Sequence, residues 1–178
     1  MSAEPAFSSR IPSICPPYDW PFREQGAFMA HLGRVLVVRL DEPISARVFE
    51  RHLVELGRQI DLRADDQRNA VLYDVPWLSS MDAVRRRQVA TLLNARKEKL
   101  GRTTLAFSLV TASKLVRGAL EAIFWVAPPA FPVRVVETSS EGFRFLSTFA
   151  PELDARSYDA EYQRQLGRAS SGVRPAAR

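Results

Sequence analysis

The spacing of apolar and polar positions changes several times along the chain, and each change marks an element. The runs "AFMAH" and "RVLVVRL" are short, apolar and separated around Leu32-Gly33, which predicts two strands joined as a hairpin. Beyond Asp41 the period lengthens. Phe49, Leu53, Leu56 and Ile60 recur at helical spacing with His52 beside them, giving one apolar face. Ser45 stands where an N-cap belongs, with Ile44 before it and Phe49 four residues inside as a hydrophobic staple.

"AVLYDV" is a short buried strand, and "SMDAVRRRQVATLLNARKEKLG" predicts a second helix. Its inward positions are Val89, Leu92, Leu93 and Leu100, and Gly101 sits at its C-terminal stop. "TTLAFSLV" is a strand, and "SKLVRGALEAIFWVA" a helix ended by Pro128-Pro129. "FPVRVVET" is a last strand and "SSEGFRFLSTF" a last helix.

The order β-β-α-β-α-β-α-β-α implies an α/β fold. Single helices between strands call for right-handed crossovers and a mostly parallel central sheet, preceded by an antiparallel hairpin. The length of 178 residues suits one domain with tails. Residues 1–25 are proline-rich and read as a loop-like or disordered leader, whose Trp20 and Phe22 are placed to pin its end onto the domain. Residues 26–150 form the domain. Residues 151–178 are a charged tail with room for a short exposed helix around Asp159–Leu166.

Composition narrows the function classes. A hydrophobic fraction of 46% supports a packed core. Net charge of +5 raises nucleic acid, acidic protein or anionic lipid as partners. The 22 Arg to 3 Lys behind it weaken that signal, since so lopsided a ratio follows genome composition. Seven cations (Arg85, Arg86, Arg87, Arg96, Lys97, Lys99, Arg102) stand against Asp82 and Glu98 in the second helix and just beyond it, a local basic face suited to an acidic partner. Arg85–Arg87 fan over about 200° of that helix, so they make no flat patch. Without aromatic interleaving or a nucleic-acid motif, a solvated face is the first reading of these charges, docking of an acidic protein the second and nucleic acid the third.

Cys15 is the only cysteine, so no intramolecular disulfide forms and the chain fits a reducing, cytoplasmic setting. No apolar run reaches the length of a membrane span, and the first residues lack a secretory signal pattern. Catalytic chemistry has little to stand on. The two histidines, His31 and His52, are isolated, and His52 beside a core face reads as packed. Metal-ligand spacing, a glycine-rich phosphate loop and a nucleophile elbow are all missing from the sequence. The expectation is a protein that is no enzyme and carries no metal or cofactor.

From Gly26 to Phe149 the chain resembles the STAS domain, the fold of bacterial anti-sigma factor antagonists, and more closely a divergent STAS/SEC14-like branch of small bacterial proteins. The resemblance rests on "VLYD" ending at Asp74 with Asp82 eight residues on, on "LAFSLVTASKLVRGALEAIFWVA", and on "VRVVETSSEGFRFL". It implies a regulatory module that binds another protein. Family antagonists place two serines after the second aspartate, the latter taking phosphate from a kinase. Here Ala83 and Val84 hold those positions, neither with a hydroxyl, and Arg85 replaces the glycine. Ser79 and Ser80, just upstream, are the candidate replacement phosphosite near a helix N-terminus; the alternative is that a serine or Asp82 simply caps the helix.

Loops after parallel strands gather on one side, which places Asp74, the Trp77–Asp82 loop and the Thr111–Arg117 turn together. The candidate interaction residues are therefore Asp74, Trp77, Asp82, Arg85, Arg86, Lys114 and Arg117; a pairing of Asp74 with Arg117 or Lys114 would make a structural tie ahead of a polar pocket, and Trp77 either offers a contact ring or covers the core. A second expectation is a small-ligand sensor, holding an anionic or apolar metabolite between the strand ends and the helix that begins near Ser113.

Overall fold

A computed structural model describes residues 22–24, 26–41, 44–76, 81–118 and 129–171. The sequence expectations at Cys15, Trp20, Trp77, Ser79 and Ser80 lie outside these residues.

Six strands make one sheet in chain order: β1 (Phe22–Glu24), β2 (Ala27–Leu32), β3 (Val35–Leu40), β4 (Asn69–Asp74), β5 (Thr104–Val110) and β6 (Val133–Val136). β1, β2 and β3 pair antiparallel, and β3 to β6 run parallel. The helices are α1 (Ala46–Leu62), α2 (Ala83–Ala95), α3 (Lys97–Thr103), α4 (described over residues 114–118), α5 (Ser139–Ser147) and α6 (Ala155–Ser171).

The sheet is covered on both faces, which explains why "VLVV" in β3 is continuously apolar instead of alternating. Leu36 and Val38 face α1 with Met29, Phe49, Leu56 and Ile60. Val35 and Val37 face the other way, joining Phe28, Leu72, Phe143, Leu146 and Tyr162 under α5 and α6. The hairpin turns at Gly33, whose φ of 53° suits a residue without a side chain; a Cβ there would also meet the Tyr158 hydroxyl at 2.6 Å. At α1 the expected cap forms, Ser45 Oγ accepting from Val48 N at 3.2 Å, and Ile44 and Phe49 are both buried beside it.

Three sequence expectations are corrected. β1 lies in the stretch read as a loop-like leader, although its Phe22 is buried against the α1 face and pins that end as expected. The second helix is two helices, broken at Arg96 (φ −120°, ψ 15°), and α3 runs past Gly101 to Thr103. α2 leans on α1 at the rim of the domain, so no residue in it is fully buried and Leu93 is 40% exposed. Finally, the 151–178 stretch holds a 17-residue helix that belongs to the core: α6 buries Glu161, Tyr162 and Gln165. Ala155, Tyr158, Tyr162 and Leu166 carry its helical spacing, and the surrounding charge masked it.

Candidate functional site

At the C-terminal ends of the parallel strands the dominant feature is a buried ion pair. Asp74 closes β4 and is 4% exposed. Strand alternation turns it to the α5–α6 face with Leu72, and the β3–β4 register sets Arg39 directly opposite. Arg39 donates through Nη1 to Asp74 Oδ2 and through Nε to Asp41 Oδ1 at 2.6 Å. From α6, the Tyr162 hydroxyl donates to the same Asp74 oxygen at 2.5 Å.

A carboxylate this buried requires such donors, because an uncompensated charge in the interior is costly. The electrostatics run in one direction. Burial pushes the Tyr162 hydroxyl well above its ordinary pKa, and the Asp74 charge and hydrogen bond push it further. For Arg39, burial alone would lower the pKa; Asp74, with Tyr162 and Asp41, outweighs it and raises the guanidinium above its ordinary value. Tyr162 therefore stays a donor and Arg39 a cation at every physiological pH. The triad fastens α6 to the sheet.

Asp74 thus pairs with Arg39 and Tyr162, and not with Arg117 or Lys114. Arg117 instead joins two strand ends, donating to the Thr111 carbonyl at 2.8 Å and to Glu137 Oε2 at 3.1 Å. Ser113 caps α4, its Oγ accepting from Val116 N at 3.3 Å, and Lys114 is exposed. With Arg134 and Arg144, Arg117 also lines a pocket of about 550 Å³ at the β6 end of the sheet.

The start of α2 shows the same economy. Asp82 is its N-cap, Oδ1 accepting from Arg85 N at 2.8 Å, as local chemistry expects. Arg85 reaches back to the Ile44 carbonyl at 2.8 Å and lies over the Phe49 ring, 5.2 Å from its centroid. Arg86 donates to the Met81 carbonyl. Arg85 consequently holds the start of α2 against α1, while Asp82 and Arg86 bond within the first turn of α2 and the residue before it and stay exposed.

The outward surface of α2 begins one residue either side. Val84 is 67% exposed and Arg87 is exposed beside it. Both line a groove of about 450 Å³ between α1 and α2, with Leu53, Gln88, Thr91 and Leu92 along its floor and sides.

His52 on α1 is packed, as its position beside the core face suggested. It is wholly buried, with Nε2 2.7 Å from the Tyr73 hydroxyl, and burial lowers its pKa to about 4. It is neutral at physiological pH and in contact with no solvent. Among the described residues no cluster of three or more His, Cys, Asp or Glu is placed to hold a metal ion, and no helix is long and apolar enough to cross a membrane.

Arg39 and Tyr162 were missed in the sequence. A signal existed for the first: a charged residue inside an otherwise continuous apolar strand needs a buried partner. Comparison of the chain with protein-family models, with curated proteins and with solved structures finds no match.

Proposed function

We propose that the chain is a cytoplasmic, non-enzymatic regulatory module of STAS type that docks an acidic protein partner along α2. The observation that carries this is the state of α2 itself: a 13-residue helix with no buried residue, three arginines and no carboxylate. Arg85 and Arg86 fasten its first turn, leaving Val84 and Arg87 outward on a groove of mainly apolar walls. An apolar contact ringed by cation is the form of a surface for an acidic helix or loop.

The order of strands and helices supports the STAS reading, as do Asp74 and Asp82 at the family's spacing. Ala83 and Val84 at the family's phosphoacceptor positions mean that docking here is independent of phosphate at those two residues. An enzyme is disfavoured because the charged groups at the strand ends are engaged with one another: Asp74 with Arg39, Arg117 with Glu137.

The test uses the full chain carrying Val84→Asp and Arg87→Glu together, both surface changes away from packed contacts. A partner recovered with the wild-type chain from its host is purified and titrated against both forms. The expected result is at least a tenfold loss of affinity in the variant, about 1.4 kcal/mol, with wild-type affinity falling as salt is raised. Equal affinity for both forms overturns the docking surface.

A further inference from the structure

Beneath the α1 side of the sheet, at the N-terminal halves of the parallel strands, lies a cavity of about 200 Å³. Its position is opposite to the strand ends where a ligand was first expected. Leu36, Leu56, Ile60 and Val71 supply aliphatic walls, and Tyr73, Phe107 and Phe131 an aromatic one. Among the described residues no polar atom reaches its surface. Arg63, Tyr73 and Thr104 therefore border it through carbon. The Arg63 guanidinium is engaged with the Thr103 carbonyl at 3.3 Å, and the Tyr73 hydroxyl with His52 Nε2 at 2.7 Å.

A lining of this kind fixes the class of guest. A charged group or a hydroxyl entering it would give up its water and gain no hydrogen bond in return, which is costly. Water meets the same difficulty: an apolar cavity of about 150 Å³ stays dry and takes up benzene. On that scale this one has room for about eight non-hydrogen atoms. A guest also supplies the contact atoms that the walls of an empty void lack.

The aromatic wall narrows the class further. Tyr73 and Phe107 stack with centroids 6.2 Å apart, and Phe107 meets Phe131 at 6.5 Å. Aromatic rings at such distances attract beyond the area they bury, and an incoming ring extends this row. Leu93, Leu100, Pro129 and Phe131 on the border each keep part of their surface in solvent, so the cavity is not sealed within the core.

We propose that this cavity binds a small uncharged aromatic hydrocarbon, a single ring with a short alkyl substituent, held among Leu56, Val71 and Phe107. The site is separate from the groove between α1 and α2, which Leu53 and Val84 line, and its test needs no protein partner.

Toluene is the probe, titrated calorimetrically into the full chain. Phenol and benzoate are the controls, the same ring carrying a hydroxyl or a charge. Methyl-resolved NMR of the same samples reports where the probe sits. The expected result is saturable binding of one toluene per chain, at least tenfold tighter than phenol, with no binding of benzoate. Ring-current shifts appear at the methyls of Leu56, Val71 and Val133 and not at those of Leu53 and Val84. Val133→Phe from β6 and Leu100→Phe from α3 each fill the cavity and abolish toluene binding. Circular dichroism confirms that the variants fold, and the methyl shifts decide the matter in the wild type should either fail to. No saturable toluene binding to the wild type, phenol or benzoate bound as tightly, shifts centred on Leu53 and Val84, or undiminished binding in a folded filling variant each overturns the site.

Discussion

Acidification is expected to weaken this fold through one side chain, His52. Its ring is wholly buried among Phe22, Phe49 and Tyr73, with centroids 5.9, 6.4 and 5.9 Å away. Nε2 meets the Tyr73 hydroxyl, and Nδ1 has no partner among the described residues to receive or share a proton. Burial therefore holds the folded-state pKa at about 4, against 6.5 for the free side chain. The folded pKa lies below the unfolded one, so only the unfolded chain gains a proton as pH falls from 6.5.

Stability is accordingly intact above pH 6.5 and declines until about pH 4, where the folded ring also protonates. At 1.36 kcal/mol per pKa unit, the gap amounts to about 3 kcal/mol. The assay is urea unfolding at fixed ionic strength from pH 7.5 down to pH 4, for the wild type and for His52→Leu. The variant strands the Tyr73 hydroxyl at a constant cost of about 1 kcal/mol, which does not depend on pH in this window. The wild type should therefore lose about 3 kcal/mol more than the variant across the titration, with a slope near 1.4 kcal/mol per pH unit between pH 6 and pH 5. Parallel curves for the two proteins would refute the reasoning.

Three further outcomes follow from the same contacts. Tyr162→Phe removes a hydrogen bond to a buried charge and should cost about 2 kcal/mol in denaturant unfolding, with faster amide exchange along α6. Gly142→Ala puts a Cβ 2.6 Å from Leu72 Cδ1 and 2.9 Å from Ser108 Oγ, where α5 presses on β4 and β5; the overpacking should lower stability by about 1–3 kcal/mol, seen as a lower urea midpoint. Asp82→Ala deletes the cap of α2, worth about 1 kcal/mol, and should speed amide exchange in the first turn of α2 while leaving α1 unchanged.

Much of this architecture is local and therefore legible residue by residue. The hairpin at Gly33, the cap and staple of α1 around Ser45, the cap of α2 at Asp82 and the apolar runs of β2 to β6 depend on residues within a few positions of one another. β1 escaped notice because three residues show no period, and α6 was expected only as a short exposed helix because its four apolar positions are spaced among charged ones. The site was less legible than the fold. Asp82 was placed correctly because capping reaches only three residues along the chain, whereas Arg85 acts on Ile44, 41 residues away.

The sequence by itself determined the class of fold, through the alternation of periods near 2 and near 3.6 that forces strands and helices to share one core. Tertiary structure alone decided the use of the charged residues. Asp74 finds Tyr162 across 88 residues only because α6 returns over the second face of the sheet, and among the described residues Arg63 goes without an acid because Asp61 and Asp65 are paired with other cations. A buried charge takes whichever partner the packing brings within about 3 Å, and no local pattern encodes that distance.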